Sequence, residues 1–359
     1  MTSTLVLDRS DLRSKAQRLD EGKGFIYHCS EGLDTSIVTR EFEDLKSENC
    51  LRQGLIAIHL TAIGATQFGQ WATQARNEGD TGPGAVVWSP FSNMWLYGET
   101  TKVPDALASG VTVCLGTDWG PSGTKNLLGE LKVARIVSDS HGWALSNFDL
   151  VAMVTANPGD ALSRLWGRTI GRLHSDSIAD VAVVARRHSN PWTNLVAARE
   201  QDVMMVVVGG AALYGTKSLL GAAGQSRNSS VAVGSQKRRV VLTDPADRDL
   251  PLGERRGWYF SRVLTNLQKV RSDPIAAVAQ PYATALAAGV DDGGLPDDWL
   301  ILDLDMPGGP GLNAGPPPEG TVVHFDPLPT MTHDRRWLQS LRGNMIHGGL
   351  LDGLDTFYV

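Results

Sequence analysis

The chain has little cysteine, no long apolar run and no surplus of positive charge. Its three cysteines, Cys29, Cys50 and Cys114, are too few and too scattered for a disulfide framework or a zinc ribbon. No stretch approaches the length of a transmembrane helix. A net charge of -6 over 359 residues leaves no basic footprint for nucleic acid. The one dense basic cluster, Lys237-Arg238-Arg239, reads as a solvated loop. The opening MTSTLVLDRSDLRSKAQRLD carries only a short apolar patch before its charges, so no signal peptide is read there. Heptads and longer repeats are also missing. These absences point to small-molecule chemistry in a reduced, cytoplasmic setting, with neither nucleic acid nor a membrane as partner.

What is present is a period. Four apolar runs end near residues with metal-binding or proton chemistry: Gly24 to His28, Leu55 to His59, Ala85 to Ser89, and Val111 to Gly116 just before Asp118. The ends recur about every 30 residues, the length of one strand-plus-helix unit. Helical patterns fill the gaps over Gln67–Arg76 and Pro104–Ser109, and another, Asp11–Leu19, precedes the first run. This is the texture of parallel α/β architecture and of a (β/α) barrel. Parity predicts that Asp118 shares a face with Gly116, Cys114 and Thr112, and that His59 shares one with Ala57 and Leu55. A helix is expected after Asp118, capped by Ser122 or Thr124, and another from Ser146 with Asp149 completing a capping box. Asn157-Pro158 should cap a third.

From Gly167 the pattern turns to short strands, 180–185 and 203–208. Residues 216–236 read as a flexible connection, and Trp258-Tyr259-Phe260 as core or interface. Further on come the apolar run Trp299 to Leu302, the loop MPGGPGLNAGPPPEG, and a last stretch, Gly348–Asp355, with the pattern of a helical hairpin.

His28 and Glu31, three residues apart at a strand end, put an imidazole and a carboxylate over one cavity. The first can bind Zn²⁺ or Fe²⁺, and the second can move a proton. Asp118 is either a metal ligand, a base acting on water, or an Asx-turn. His59 is either a site residue or a core histidine satisfied by a carbonyl. Ser92 and Asn93 either orient a substrate or hold a loop, and Cys29 and Cys114 read as buried fillers. His141, His174 and His188 look incidental; His324, His333 and His347 lack metal-site spacing.

Taken in order, HCSEG (28–32), IHLTAI (58–63), WSPFSNMWLYG (88–98), SGVTVCLGTDWGPSGTKNLLGELK (109–132), TANPGDAL (155–162) and IGRLHSDSIADVAVV (170–184) resemble the metal-dependent amidohydrolase superfamily. The likeness is to the branch of cytosine and guanine deaminases and chlorohydrolases, and it covers about residues 12–215. It implies the C-terminal half of a TIM-like (β/α)8 barrel, strands five to eight, over residues 1–166. β-Sandwich strands of a composite domain follow over 167–215, and then an α+β extension, 216–359, with no assigned role. It further implies hydrolysis of non-peptide carbon–nitrogen bonds by metal-activated water. In that scheme His28 and Asp118 bind the metal, Zn²⁺ or Fe²⁺, and Glu31, His59 and Asp118 are catalytic. Ser92 and Asn93 would be substrate-binding and the substrate a small molecule.

The chain departs from that family in one respect. No histidine precedes His28 and no His-x-His occurs anywhere, so the family's first-strand pair of ligands is not found. A truncated chain is therefore expected, completed either as a homo-oligomer or by a separate polypeptide supplying the first half of the barrel. The other reading is a non-catalytic remnant with a binding or scaffold role.

Overall fold

β-Branched and aromatic residues crowd the strand runs, and the small residues Gly24, Gly54 and Gly84 precede three of them. The computed structural model describes residues 3–4, 8–33, 37–120, 122–243, 257–272, 334–342 and 348–358. Its main sheet is parallel: β1 (Ser3–Thr4), β2 (Phe25–Cys29), β3 (Leu55–His59), β4 (Ala85–Trp88) and β5 (Thr112–Leu115), in that spatial order. Each crossover is helical: α1 (Arg9–Asp20), α2 (Val38–Ser47), α3 (Ala65–Asn77), then α4 (Pro90–Tyr97) with α5 (Val103–Ala108). Strands that follow one another without reversal are laid out like the staves of a barrel, not like a doubly wound sheet. The short β1, paired through Ser3 with Ile26, is an addition to the four expected strands.

The two faces of this sheet bury different layers. Phe25, Tyr27, Leu55, Ala57, Val86, Trp88, Val113 and Leu115 join the helix-side core with Phe42, Phe68 and Trp71. Each Val, Leu or Phe among them, once buried, stabilises by about 1.5–3 kcal/mol. On the other face Ile56, Ala85 and Cys114 meet Ala161, Leu162 and Leu165 of α8 (Ala156–Trp166). The expected parity therefore holds in β5, where Val113 and Leu115 face the helices. In β3 Leu55 and Ala57 do share a face, and it is the helix side, whereas a site residue is expected to point away from the helices. His59 ends β3, in register with Cys29, and its φ of 73° breaks the extended backbone that strand parity assumes.

Caps also differ in part. α6 (Leu127–Ser140) is capped by Asn126, whose side-chain carbonyl oxygen accepts from the amides of Leu128 and Gly129. Ser122 and Thr124 are not its caps. α7 (Asn147–Ala152) does open on the Ser146–Asp149 capping box. α8 begins two residues early, capped at Thr155, and Asn157 instead donates its Nδ2 to Val113 O at 2.8 Å, tying α8 to β5.

A second sheet is antiparallel: β6 (Val181–Val184), β7 (Val203–Val208), β8 (Ala211–Gly215), β9 (Ser229–Val233) and β10 (Gln236–Val240), ordered β6-β7-β8-β10-β9. α9 (Pro191–Ala197) lies between β6 and β7. Residues 216–236 are thus not a loose connection: they hold α10 (Lys217–Ala222) and β9, and the sheet continues past residue 215. Nor is the basic cluster a loop. Arg238 sits in β10, is 5% exposed, and donates Nε to Val203 O at 2.9 Å.

Further along are β11 (Leu242–Thr243) paired with β12 (Gly257–Trp258), then α11 (Phe260–Ser272), α12 (Asp334–Arg342) and α13 (Gly348–Tyr358). Tyr259 is 67% exposed and does not belong to a core. Leu350, Leu351, Leu354 and Tyr358 of α13 join Trp337 of α12 in the main core against α6. The buried Lys132 ammonium lies 5.2 Å from the Tyr358 ring. The run 299–302, the loop 306–320, His324, His333 and His347 lie outside the described residues. Among the described residues no helix is long and apolar enough to cross a membrane.

Candidate active site

The carboxyl ends of β2, β3 and β5 converge, and each does so through unusual backbone. Ser30 has φ 48°, His59 73°, Leu60 50° and Asp118 59°, all in the left-handed region that non-glycine residues seldom adopt. Hydrogen bonds hold these turns. Glu41 of α2 accepts from Ser30 N at 2.5 Å, and Thr101 donates to His59 O at 2.5 Å. Thr61 Oγ1 accepts from Gly32 N at 2.7 Å. After Asp118 the chain folds so tightly that a Cβ at Gly123 would stand 1.8 Å from Thr117 O.

Glu31, His59 and Asp118 each offer an atom to one point, and those atoms all lie within 4.8 Å of one another. His59 Nε2 is 3.3 Å from Glu31 Oε2. The His28 ring stacks at a tilt against His59, centroids 5.6 Å apart, so all four expected chemical residues share this end of the sheet. Asp118 Oδ1 accepts from Trp119 N at 2.9 Å. Ser92 and Asn93 come from the first turns of α4 and are fully buried. Ser92 Oγ meets Ser122 Oγ at 3.5 Å, and Asn93 Nδ2 lies 3.2 Å from His59 Nδ1. A cavity of about 580 Å³ is lined in part by Gly32, Thr61, Gly64, Lys102 and Asp105, and by none of His28, Glu31, His59 or Asp118.

The electrostatics separate the groups. Burial, helped by the negative charge of Asp118, pushes the Glu31 carboxyl up to about 7, against the donation of the Tyr97 hydroxyl. Burial and the same pairing raise Tyr97 to about 12. Burial holds His59 down to about 4, opposed by Asp118 and helped by the positive charge that His28 can carry. At neutral pH, then, Glu31 is poised between acid and carboxylate while His59 is neutral. Burial also raises the Cys114 thiol to about 12, in keeping with an inert filler.

Several neighbours escaped sequence reasoning. Tyr97 lies four residues after Asn93 on α4, one turn further along the same face, which is the signal that was available. Glu130, fully buried, accepts from Phe91 N at 3.0 Å and from Thr124 Oγ1, and burial raises it to about 8. It falls between Leu127, Leu131 and Ala134 at helical spacing, a charge on an apolar face. Glu41 and Thr101 carried no such mark.

Known proteins share parts of this chain. It is 30% identical over 146 residues to a 5-methylthioadenosine/S-adenosylhomocysteine deaminase of Haloquadratum walsbyi, covering 38% of this chain and 32% of that protein. It is 31% identical over 136 residues to a 5′-deoxyadenosine deaminase of Methanopyrus kandleri, covering 35% and 31%. The matches thus span about a third of the length of these curated relatives. Among solved structures, the zinc complex of an atrazine chlorohydrolase from Arthrobacter aurescens aligns with TM-score 0.47 at 21% identity, over 59% of this chain and 49% of that one. E. coli guanine deaminase aligns with TM-score 0.48 at 18% identity, over 58% and 52%. The family model described as the amidohydrolase family matches residues 15–213, more than half of the 359 residues, and the chain belongs to that family.

Proposed function

We propose that the carboxyl end of the parallel sheet is a metal-dependent hydrolytic centre for a non-peptide carbon–nitrogen bond, with amino-substituted heterocycles as the substrate class. The observation that carries this is the convergence of Glu31, His59 and Asp118 within 4.8 Å. Deaminases among the curated relatives support the substrate class. β2 to β5 are read as strands five to eight of an eight-stranded barrel.

An imidazole with a carboxylate fits Zn²⁺ or Fe²⁺, and by the family resemblance His28 with Asp118 would hold the ion, while the atoms within 4.8 Å of one another are those of Glu31, His59 and Asp118. When bound, such an ion activates water and polarises the carbon under attack. The chain's own groups do the rest. Asp118 orients the water through its carboxylate. Glu31, with a pKa of about 7, takes a proton from that water and delivers it to the departing nitrogen as the carbon–nitrogen bond breaks. His59 faces the substrate.

A catalytic zinc takes three protein ligands, one more than His28 and Asp118 supply. Among the described residues the sheet also has open edges at β1 and β5. Both points support completion by a second copy or by a separate polypeptide. The test is metal content per chain by elemental mass spectrometry, run with size-exclusion chromatography, followed by ammonia release from a panel of aminopurines and aminotriazines. Near-stoichiometric Zn or Fe, lost on His28→Ala or Asp118→Ala, together with turnover, is expected. A metal-free, inactive chain in a defined assembly would favour a binding or scaffold role instead.

A further inference from the structure

Behind the His59 ring runs a chain of buried hydrogen bonds whose polarity is set at its far end. The Trp88 indole N–H, which can only donate, donates to Thr100 Oγ1 at 2.7 Å. Thr100 has a single hydroxyl proton, and it goes to Asn93 Oδ1 at 3.4 Å. With Oδ1 so engaged, the Asn93 amide presents Nδ2 to His59 Nδ1 at 3.2 Å. An NH₂ group offers no lone pair, so Nδ1 accepts. Turning the amide over would give Thr100 Oγ1 two donors and leave its proton with no acceptor among the described residues. Trp88, Asn93 and Thr100 are 0% exposed and His59 1%, so such a mismatch would go uncompensated by solvent.

A neutral imidazole that accepts at Nδ1 carries its proton on Nε2, and here Nε2 faces Glu31 Oε2 at 3.3 Å, donor to acceptor. Histidines that bind a metal show the opposite arrangement: the ring nitrogen away from the metal gives its proton to an acceptor. We infer that Asn93, held by Thr100 and Trp88, is a positioning residue that locks His59 in the Nε2–H tautomer, so that His59 enters the site as a hydrogen-bond donor and not as a metal ligand. This deepens the hydrolytic reading above and rests on it for its chemical use. A fixed donor beside Glu31 favours substrates with an acceptor next to the carbon attacked, such as a ring nitrogen, and stabilises negative charge that develops there.

The test is two-bond ¹H–¹⁵N correlation spectroscopy of the full chain, metal-free and labelled on histidine, with His59 assigned by its loss in His59→Gln. The wild type should show the Nε2–H pattern. Asn93→Asp puts an acceptor opposite Nδ1 and should move the proton to Nδ1. Added Zn²⁺ should leave the Nε2 proton of the wild type in place. A wild-type ring protonated on Nδ1 would overturn the inference, whether or not the variant folds. A folded Asn93→Asp variant that keeps Nδ1 bare would remove Asn93 from the role, and loss of the Nε2 proton on Zn²⁺ addition would make His59 a ligand. None of these readings depends on turnover, so a chain without metal or activity would defeat the proposed function and leave the tautomer standing.

Discussion

The two ends of the parallel sheet handle charge in opposite ways. At the amino end Arg52, 7% exposed, is fully compensated: Nε donates to Asp80 at 2.8 Å and Nη1 to Asp20 at 2.9 Å. Asp80 also accepts from Gln53 N at 2.8 Å. At the carboxyl end the charge of Asp118 adds to the cost of ionising Glu31, two histidines crowd together, and the backbone turns left-handed at His59 and Asp118. One end is built for stability and the other is held in a costly arrangement by the core beneath it, which is how reactive sites are generally maintained.

The largest test of that contrast is Glu31→Gln. Turnover should fall about 10²–10⁴-fold, the range for losing a general acid–base. The melting temperature should stay level or rise, because a desolvated carboxyl beside Asp118 has been neutralised. Retained turnover would end the proton-shuttle role. At the other end Arg52→Ala should cost about 3 kcal/mol in denaturant unfolding, because it leaves the Asp80 carboxylate without its cation. An unchanged midpoint would mean that this cluster is not a stabilising one.

pH separates the ends further. Glu31 at about 7 and Glu130 at about 8 lie above their ordinary 4.5, so the stability they contribute is full below 4.5 and is lost as pH rises through those values. His59, lowered from 6.5 to about 4, contributes stability that is present above 6.5 and lost as pH falls through 4. Between pH 6.5 and 8 only the glutamates of this trio act. The metal-free protein should lose stability across that window, on the order of 1 kcal/mol, and Glu130→Gln should flatten the loss. A flat wild-type profile would contradict a protonated, buried Glu130. The smallest effect expected is that of Tyr97→Phe. Without the donated hydroxyl the Glu31 pKa rises further, so the pH–rate profile should shift to higher pH, and activity at pH 7 should change by about fivefold. An unmoved profile would detach Tyr97 from Glu31.

Much of this site was legible before the fold was known, for a simple reason. Strand ends recur with the period of the strand–helix unit, so His28, His59 and Asp118 could be placed at one end of a parallel sheet from spacing alone. The capping box of Ser146 and Asp149 is likewise local chemistry, readable from four consecutive residues. Where local signals competed, reading failed. Ser122, Thr124 and Asn126 are all plausible caps, and Asn126 holds the position because Thr124 is engaged with Glu130. Residues 216–236, rich in glycine and serine, form α10 and β9 because β10 supplies a pairing partner that composition does not reveal.

The sequence by itself determined the parallel α/β order and the chemical character of each strand end, which follow from periodicity and residue type acting over a few neighbours; the family was carried by the resemblance of its ordered motifs. Only the tertiary structure decided the left-handed φ of 73° at His59, the last residue of β3, where strand parity alone would carry it to the helix side with Leu55 and Ala57. It also decided what His59 is bonded to. The successive bonds from His59 to Asn93, Thr100 and Trp88 join residues 34, 7 and 12 positions apart. They meet only because β3, β4, α4 and the segment after it pack together in a fully buried layer.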